Sequence, residues 1–98
     1  MFHAVAIKNA SIGSTPLSLA STLFNFASSD LAGAQKAVVT PTSGSLRISS
    51  ATTAPTTNSL GIAVTSGTNY EVLGAHNVAN LYMVCVTSTA NVCVEIYK

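Results

Sequence analysis

Successive side chains of an extended strand point to opposite faces, so a period of two in hydrophobicity marks a half-buried strand. That pattern is strongest over residues 81–97, LYMVCVTSTANVCVEIY, and predicts two strands joined by a small polar turn. Pairing Thr87 with Asn91 across Ser88, Thr89 and Ala90 sets Tyr82, Val84 and Val86 on the same face as Val92, Val94 and Ile96. This face is the expected core, because a one-residue slip would turn either apolar set outward.

The rest of the chain is read the same way. Residues 2–8 alternate, with His3, Val5 and Ile7 on one side, as a first strand does; Gly13 and Pro16 then mark 9–16 as a turn. Between 17 and 31 the period changes. Leu19, Leu23 and Phe26 recur at spacings of four and three, which predicts a short helix over 19–27 capped by Ser18, with an irregular strand over 17–24 as the other reading. Residues 28–35 connect to a strand over 36–40 that Pro41 is expected to end, followed by a Ser43-Gly44 turn and a one-sided strand over 45–49. Residues 50–59, rich in Thr and Ser around Pro55, have no apolar face and read as an exposed loop. Strands over 60–64 and 69–73 flank a Ser66-Gly67 turn, with Tyr70 and Val72 on one face, and 74–80 connects to the terminal pair. Seven or eight short strands with regular turn signals predict a mainly β fold, a single antiparallel β-sandwich or jelly-roll-like barrel over residues 1–98.

Composition narrows the function. One domain of 98 residues buries enough surface for a single core. Mean hydropathy is +0.47, yet the longest apolar run is the six residues 81–86, against roughly 20 for a membrane-spanning helix. The first ten residues lack a basic leader followed by a long apolar stretch, so synthesis and residence in a cytosol are expected. Charged residues make up only 7% of the chain, where about 25% is ordinary. Polarity comes instead from 13 Ser and 12 Thr, whose hydroxyls are cheaper to cover than charges. A net charge of +1 without a basic cluster argues against nucleic acid and against electrostatic docking on membranes.

The residues that could carry chemistry are few. Cys85 and Cys93 fall opposite one another in the terminal register, so a cross-strand bridge is conceivable, but in a cytosol reduced thiols are expected. His3 and His76 are too far apart in sequence, and too short of close partners, to form a zinc site with the cysteines. No Gly-x-Ser-x-Gly elbow supports a hydrolytic triad, and His76 is expected to be a loop residue bonded to nearby backbone. Asp30, Glu71 and Glu95 show no spacing that pairs two carboxylates in one cleft. Asn9-Ala10-Ser11 matches a glycosylation sequon, which has no meaning without export. No catalytic, cofactor or metal site is therefore expected, and the chain does not read as an enzyme.

The order of segments Ala-Val-Val-Thr-Pro (37–41), Gly-Ser-Leu-Arg-Ile-Ser (44–49), Leu-Gly-Ile-Ala-Val-Thr-Ser-Gly-Thr-Asn-Tyr-Glu-Val (60–72), Val-Ala-Asn-Leu-Tyr-Met-Val (78–84) and Val-Cys-Val-Glu-Ile-Tyr (92–97) resembles small β-sandwich virion proteins of tailed bacteriophages, of the capsid-decoration or accessory head and neck type. The resemblance covers about two-thirds of the chain. It implies a non-enzymatic, many-copy structural subunit, made in the host cytoplasm and resident in the virion. The implied partners are the major capsid or other virion proteins and further copies of the chain, a trimer first and a dimer second. It transfers no functional residue, and residues 10–35 have no counterpart in it. The competing class is a small binding module, glycan-binding or adhesin-like. Against that class, Trp is absent and the three Tyr fall mostly in strand positions.

Overall fold

The computed structural model describes residues 3–49, 61–85 and 89–98. Among these residues eight strands form two antiparallel sheets: β1 (Ala4–Ile12), β2 (Leu17–Ser18), β3 (Lys36–Ser43), β4 (Ser45–Ser49), β5 (Ile62–Thr65), β6 (Tyr70–Leu73), β7 (Tyr82–Cys85) and β8 (Ala90–Tyr97). Two short helices, α1 (Ser28–Leu31) and α2 (Ala75–Ala79), lie in the connections. One sheet has the order β1-β8-β3-β6 and the other β2-β7-β4-β5. The chain behaves as a folded-over ribbon in which β1 meets β8, β2 meets β7, β3 meets β6 and β4 meets β5. Rolling that ribbon brings β8 against β3 and β7 against β4. This is the strand order of a jelly roll, the double-sheet solution that wraps most strand edges into ladders.

The core lies between the sheets. Ile12, Ala37, Val39, Val72, Val92, Val94 and Ile96 come from the first sheet, and Leu46, Ile48, Val64, Met83 and Cys85 from the second. Tyr70 packs against this cluster beside Val72, the pairing of faces that alternation predicts.

The expected terminal hairpin is corrected by this topology. β7 pairs with β2 and β4 while β8 pairs with β1 and β3, so the two strands belong to opposite sheets. Val92, Val94 and Ile96 do face the core, but on β7 the core side carries Met83 and Cys85. Tyr82 and Val84 take the other side, and Val86, Thr87 and Ser88 lie outside the described residues. Alternation fixes which residues share a face; it cannot distinguish a strand's ladder neighbour from the strand facing it across a core.

Other boundaries move for local reasons. β1 runs on to Ile12, and its inward side is Ala6, Lys8 and Ala10, while Val5 and Ile7 are 40% and 60% exposed. β3 continues through Pro41, which is buried against Val92. Proline is tolerated there because β6 pairs only with Lys36 to Val39 and a register shift follows between Pro41 and Ser43, so no donor is missed on that side. The helix expected over 19–27 is replaced by turns, with Asn25 at φ 56°; Phe24 is buried and stacks on Phe26 at 5.8 Å, while Leu23 is exposed. Helix α1 begins only at Ser28. The loop expected over 50–59 and the start of the strand at Leu60 lie outside the described residues.

Candidate interaction face

The histidines and cysteines weighed for chemistry do not converge. His3 is exposed at the start of β1, exchanging backbone hydrogen bonds with Lys98, and His76 is exposed on α2 instead of in the expected loop. The His76 ring lies 3.4 Å from the Asn80 side-chain nitrogen, which also donates to the His76 carbonyl at 2.9 Å. Cys85 and Cys93 are not joined in a disulfide, the first facing the core from β7 and the second facing outward from β8. Asn9 of the sequon is exposed on β1. Among the described residues, no group of three or more His, Cys, Asp and Glu could hold a metal ion, and no helix is long and apolar enough to cross a membrane.

A pocket of about 290 Å³ lies among Leu19, Ala20, Leu31, Ala32 and Val78, residues of the connections that hold α1 and α2. All but one of its lining residues are Leu, Ala or Val, the exception being Ser18. Such a lining offers no convergent polar groups to orient a substrate.

The outer face of the β1-β8-β3-β6 sheet brings charged, aromatic and aliphatic side chains together. Register assembles it in rows. Ile7 stands opposite Glu95, Glu95 opposite Val38, and Val38 opposite Glu71. Glu71 and Glu95, which sequence spacing gave no reason to bring together, thus flank Val38 on one sheet face. In the next row Tyr97 stands opposite Lys36 and Lys36 opposite Leu73. Beyond these rows the face turns polar and uncharged, with Asn9, Cys93 and Thr40 in one row and Ser11, Asn91 and Ser43 in the next.

Its charges are held against one another. Lys36 Nζ lies 3.5 Å from Glu71 Oε2 and 5.1 Å from the centroid of the Tyr97 ring. The Tyr97 hydroxyl donates to Glu95 Oε2 at 3.2 Å. Burial, that hydrogen bond and the charges of Glu95 and Glu71 push the Tyr97 phenol above its ordinary value. Burial first and the Glu95 charge second push the Cys93 thiol up as well, so it is neutral near pH 7. Around this network stand Val5, Ile7 and Leu73, three of the exposed large apolar side chains, with Leu73 at 54% exposure. Sequence reasoning missed the cluster because β3, β6 and β8 are far apart in the chain and only the ribbon's roll makes them neighbours.

The fold defines a small jelly-roll β-sandwich. No family model matches this chain, and no curated protein or solved structure matches it either.

Proposed function

We propose that the protein is a non-enzymatic structural subunit of a bacteriophage particle, acting by multi-copy assembly on a capsid, head, neck or tail surface. The observation that carries this reading is the jelly-roll strand order in a chain with so few charges. Jelly rolls recur in viral capsid domains, an argument from architecture that sets the class and leaves the partner to be named by the surface. A hydroxyl-rich surface with seven formal charges (four basic and three acidic) is inexpensive to desolvate and repels its copies weakly. Exposed aliphatic side chains on one sheet face supply the apolar component that association needs.

Jelly rolls also serve lectins, which keeps a glycan-binding or adhesin-like module as the alternative. A sugar platform requires an exposed aromatic ring, and Tyr70, Tyr82 and Tyr97 are all half-buried. The assembly reading is therefore the better supported.

The test is the protein content of purified particles. Peptides of this chain should appear in washed virions in a fixed ratio to the major capsid protein, and the purified protein should co-sediment with particles that lack it. Absence from washed virions combined with binding to a glycan array would overturn the assembly reading.

A further inference from the structure

We infer that the outer face of the β1-β8-β3-β6 sheet is the contact surface for a second copy of this chain, arranged about a two-fold axis lying in the interface. This names a surface for the assembly proposed above and rests on that reading for its biological setting.

β1 is a nine-residue edge strand, the kind of element that would ordinarily recruit a neighbour by strand pairing. Two features oppose that route. Lys8 is inward-facing and half-buried, opposite Val94, and the register shifts between Ala4 and Ala6. An inward charge and a bulge are both devices that stop edge-to-edge pairing. The other edge, β6, is only four residues long, so association through this sheet is directed to its face.

The face is self-complementary. Tyr97, Lys36, Glu95 and Val38 form a two-by-two block in the β8–β3 ladder, with Tyr97 opposite Lys36 and Glu95 opposite Val38. Lys36 and Glu95 occupy one diagonal of the block, and Tyr97 and Val38 the other. A two-fold axis along the Tyr97–Val38 diagonal exchanges the positions of Lys36 and Glu95. It sets Lys36 of each copy over Glu95 of the other while the two Tyr97 rings and the two Val38 side chains meet near the axis. In an isologous contact residue i meets j wherever j meets i, so opposite charges on one diagonal satisfy both copies at once. Ile7 and Leu73 then extend the apolar contact on either side.

The size of the face sets the strength. Four strands and four rows span at most roughly 19 Å by 23 Å, no more than about 440 Å² on each copy because β6 reaches only two of the rows. The total lies below the roughly 1,200 Å² of standard stable interfaces, so the free protein forms a concentration-dependent dimer and not a permanent one.

The experiment is sedimentation equilibrium over a wide concentration range, with circular dichroism confirming that each variant is folded. Wild-type protein should shift from monomer to dimer. Ile7→Lys, at an exposed position, should raise the dissociation constant about tenfold or more, while Ile62→Lys, equally exposed on the other sheet, should not change it. Lys36→Glu and Glu95→Lys should each weaken self-association by a similar factor, because each sets like charges across the axis. An equimolar mixture of those two variants should recover association as a heterodimer, since the introduced glutamate of one chain would then meet the introduced lysine of the other. A wild-type chain that stays monomeric throughout would overturn the proposal, as would loss of association in Ile62→Lys with Ile7→Lys unaffected, or a mixture that fails to recover. A strict monomer found in fixed ratio in virions would sink the face contact and leave the assembly reading standing; a dimer that obeys the charge exchange but is absent from virions would do the reverse.

Discussion

Gly44 stands so close to Ala90 that a Cβ built on it would lie 3.0 Å from the Ala90 Cβ and 2.7 Å from the Thr89 carbonyl oxygen. It is the single residue between β3 and β4, which belong to different sheets, and its φ of 76° turns the chain through that corner. A side chain there meets two penalties, about 1–2 kcal/mol for the left-handed backbone and about 1–3 kcal/mol for displaced neighbours. Gly44→Ala is therefore expected to cost about 3 kcal/mol. Gly67, at φ 85° with open space around it, should lose only the backbone part, about 1 kcal/mol, in Gly67→Ala. Urea denaturation of the two variants measures the difference, and equal losses would show that the corner is not closely packed.

Val94 and Val84 are both fully buried, but their surroundings differ. Val94 belongs to the core cluster and sits between Lys8 and Val39 in its ladders, so Val94→Asp draws a carboxylate into the apolar interior, where desolvation outweighs what the neighbouring edge-strand Lys8 returns, and should remove more than about 4 kcal/mol, enough to unfold a small domain. Val84 lies on the other face of β7, directly opposite Arg47. That guanidinium donates from Nη1 to the Gly61 carbonyl at 3.1 Å, while its Nε is buried without an acceptor among the described residues. An aspartate at position 84 gains a cationic partner, and Val84→Asp should be clearly less damaging than Val94→Asp at pH 7. Thermal unfolding of both proteins checks the ranking; equal severity would mean that the guanidinium does not reach the new carboxylate.

Strands were legible in this sequence because alternation is strong, and the sandwich followed from their number and spacing. Their partners were not legible. β3 and β4, β5 and β6, and β7 and β8 are each consecutive in the chain, yet each pair is divided between the two sheets. A short Gly-containing connection such as Ser43-Gly44-Ser45 or Ser66-Gly67 looks like a hairpin turn and serves here as a corner between sheets. The first strand shows a second limit. Val5 and Ile7 attract the core assignment by hydrophobicity, but the sandwich takes the smaller Ala6 and Ala10 inward and leaves the larger pair on the surface. The Lys36–Glu71–Tyr97–Glu95 network was not legible either, because its members meet only through pairings distant in sequence.

The raised Cys93 and Tyr97 groups set a pH dependence whose sign follows from linkage. Each is an acid that ionises less readily in the folded chain than in the unfolded one, so its contribution to stability is fully present below the unfolded value and is lost as pH rises through the folded value. The ordinary values are 9.0 for the thiol and 10.0 for the phenol, which places the loss in the alkaline range above about pH 9. Denaturant midpoints should be flat from pH 7 to about 8.5 and fall above that. Cys93→Ser should remove the thiol part of the fall. In the native state iodoacetamide should modify half-exposed Cys93 ahead of buried Cys85, and slowly at pH 8, because the thiolate is scarce. Faster modification of Cys85 than of Cys93 by peptide mass would contradict the placement of one thiol in the core and the other on an outer face.

At Lys8, stability and solubility are expected to move in opposite directions on substitution. Its side chain lies on the inward side of the edge strand, opposite Val94, and is half-buried, the setting in which a long aliphatic stem covers apolar surface and its charged end turns to water. Lys8→Val keeps the stem's apolar contact, removes the cost of holding a charge beside the core, and adds a residue of high β propensity, so the midpoint of unfolding should be unchanged or higher. The same change leaves an edge strand reading Ala-Val-Ala-Ile-Val-Asn-Ala-Ser-Ile, with no charge to oppose the approach of another edge. Aggregation measured by light scattering at high concentration should therefore rise, and the aggregates should show added β signal and strand-pairing contacts of β1 in hydrogen exchange. Lys8→Glu separates the two effects, because it retains an edge charge and should remain soluble whatever it does to stability. Clear solutions of Lys8→Val at concentrations where Lys8→Glu is equally clear would mean that the bulge between Ala4 and Ala6 protects the edge by itself.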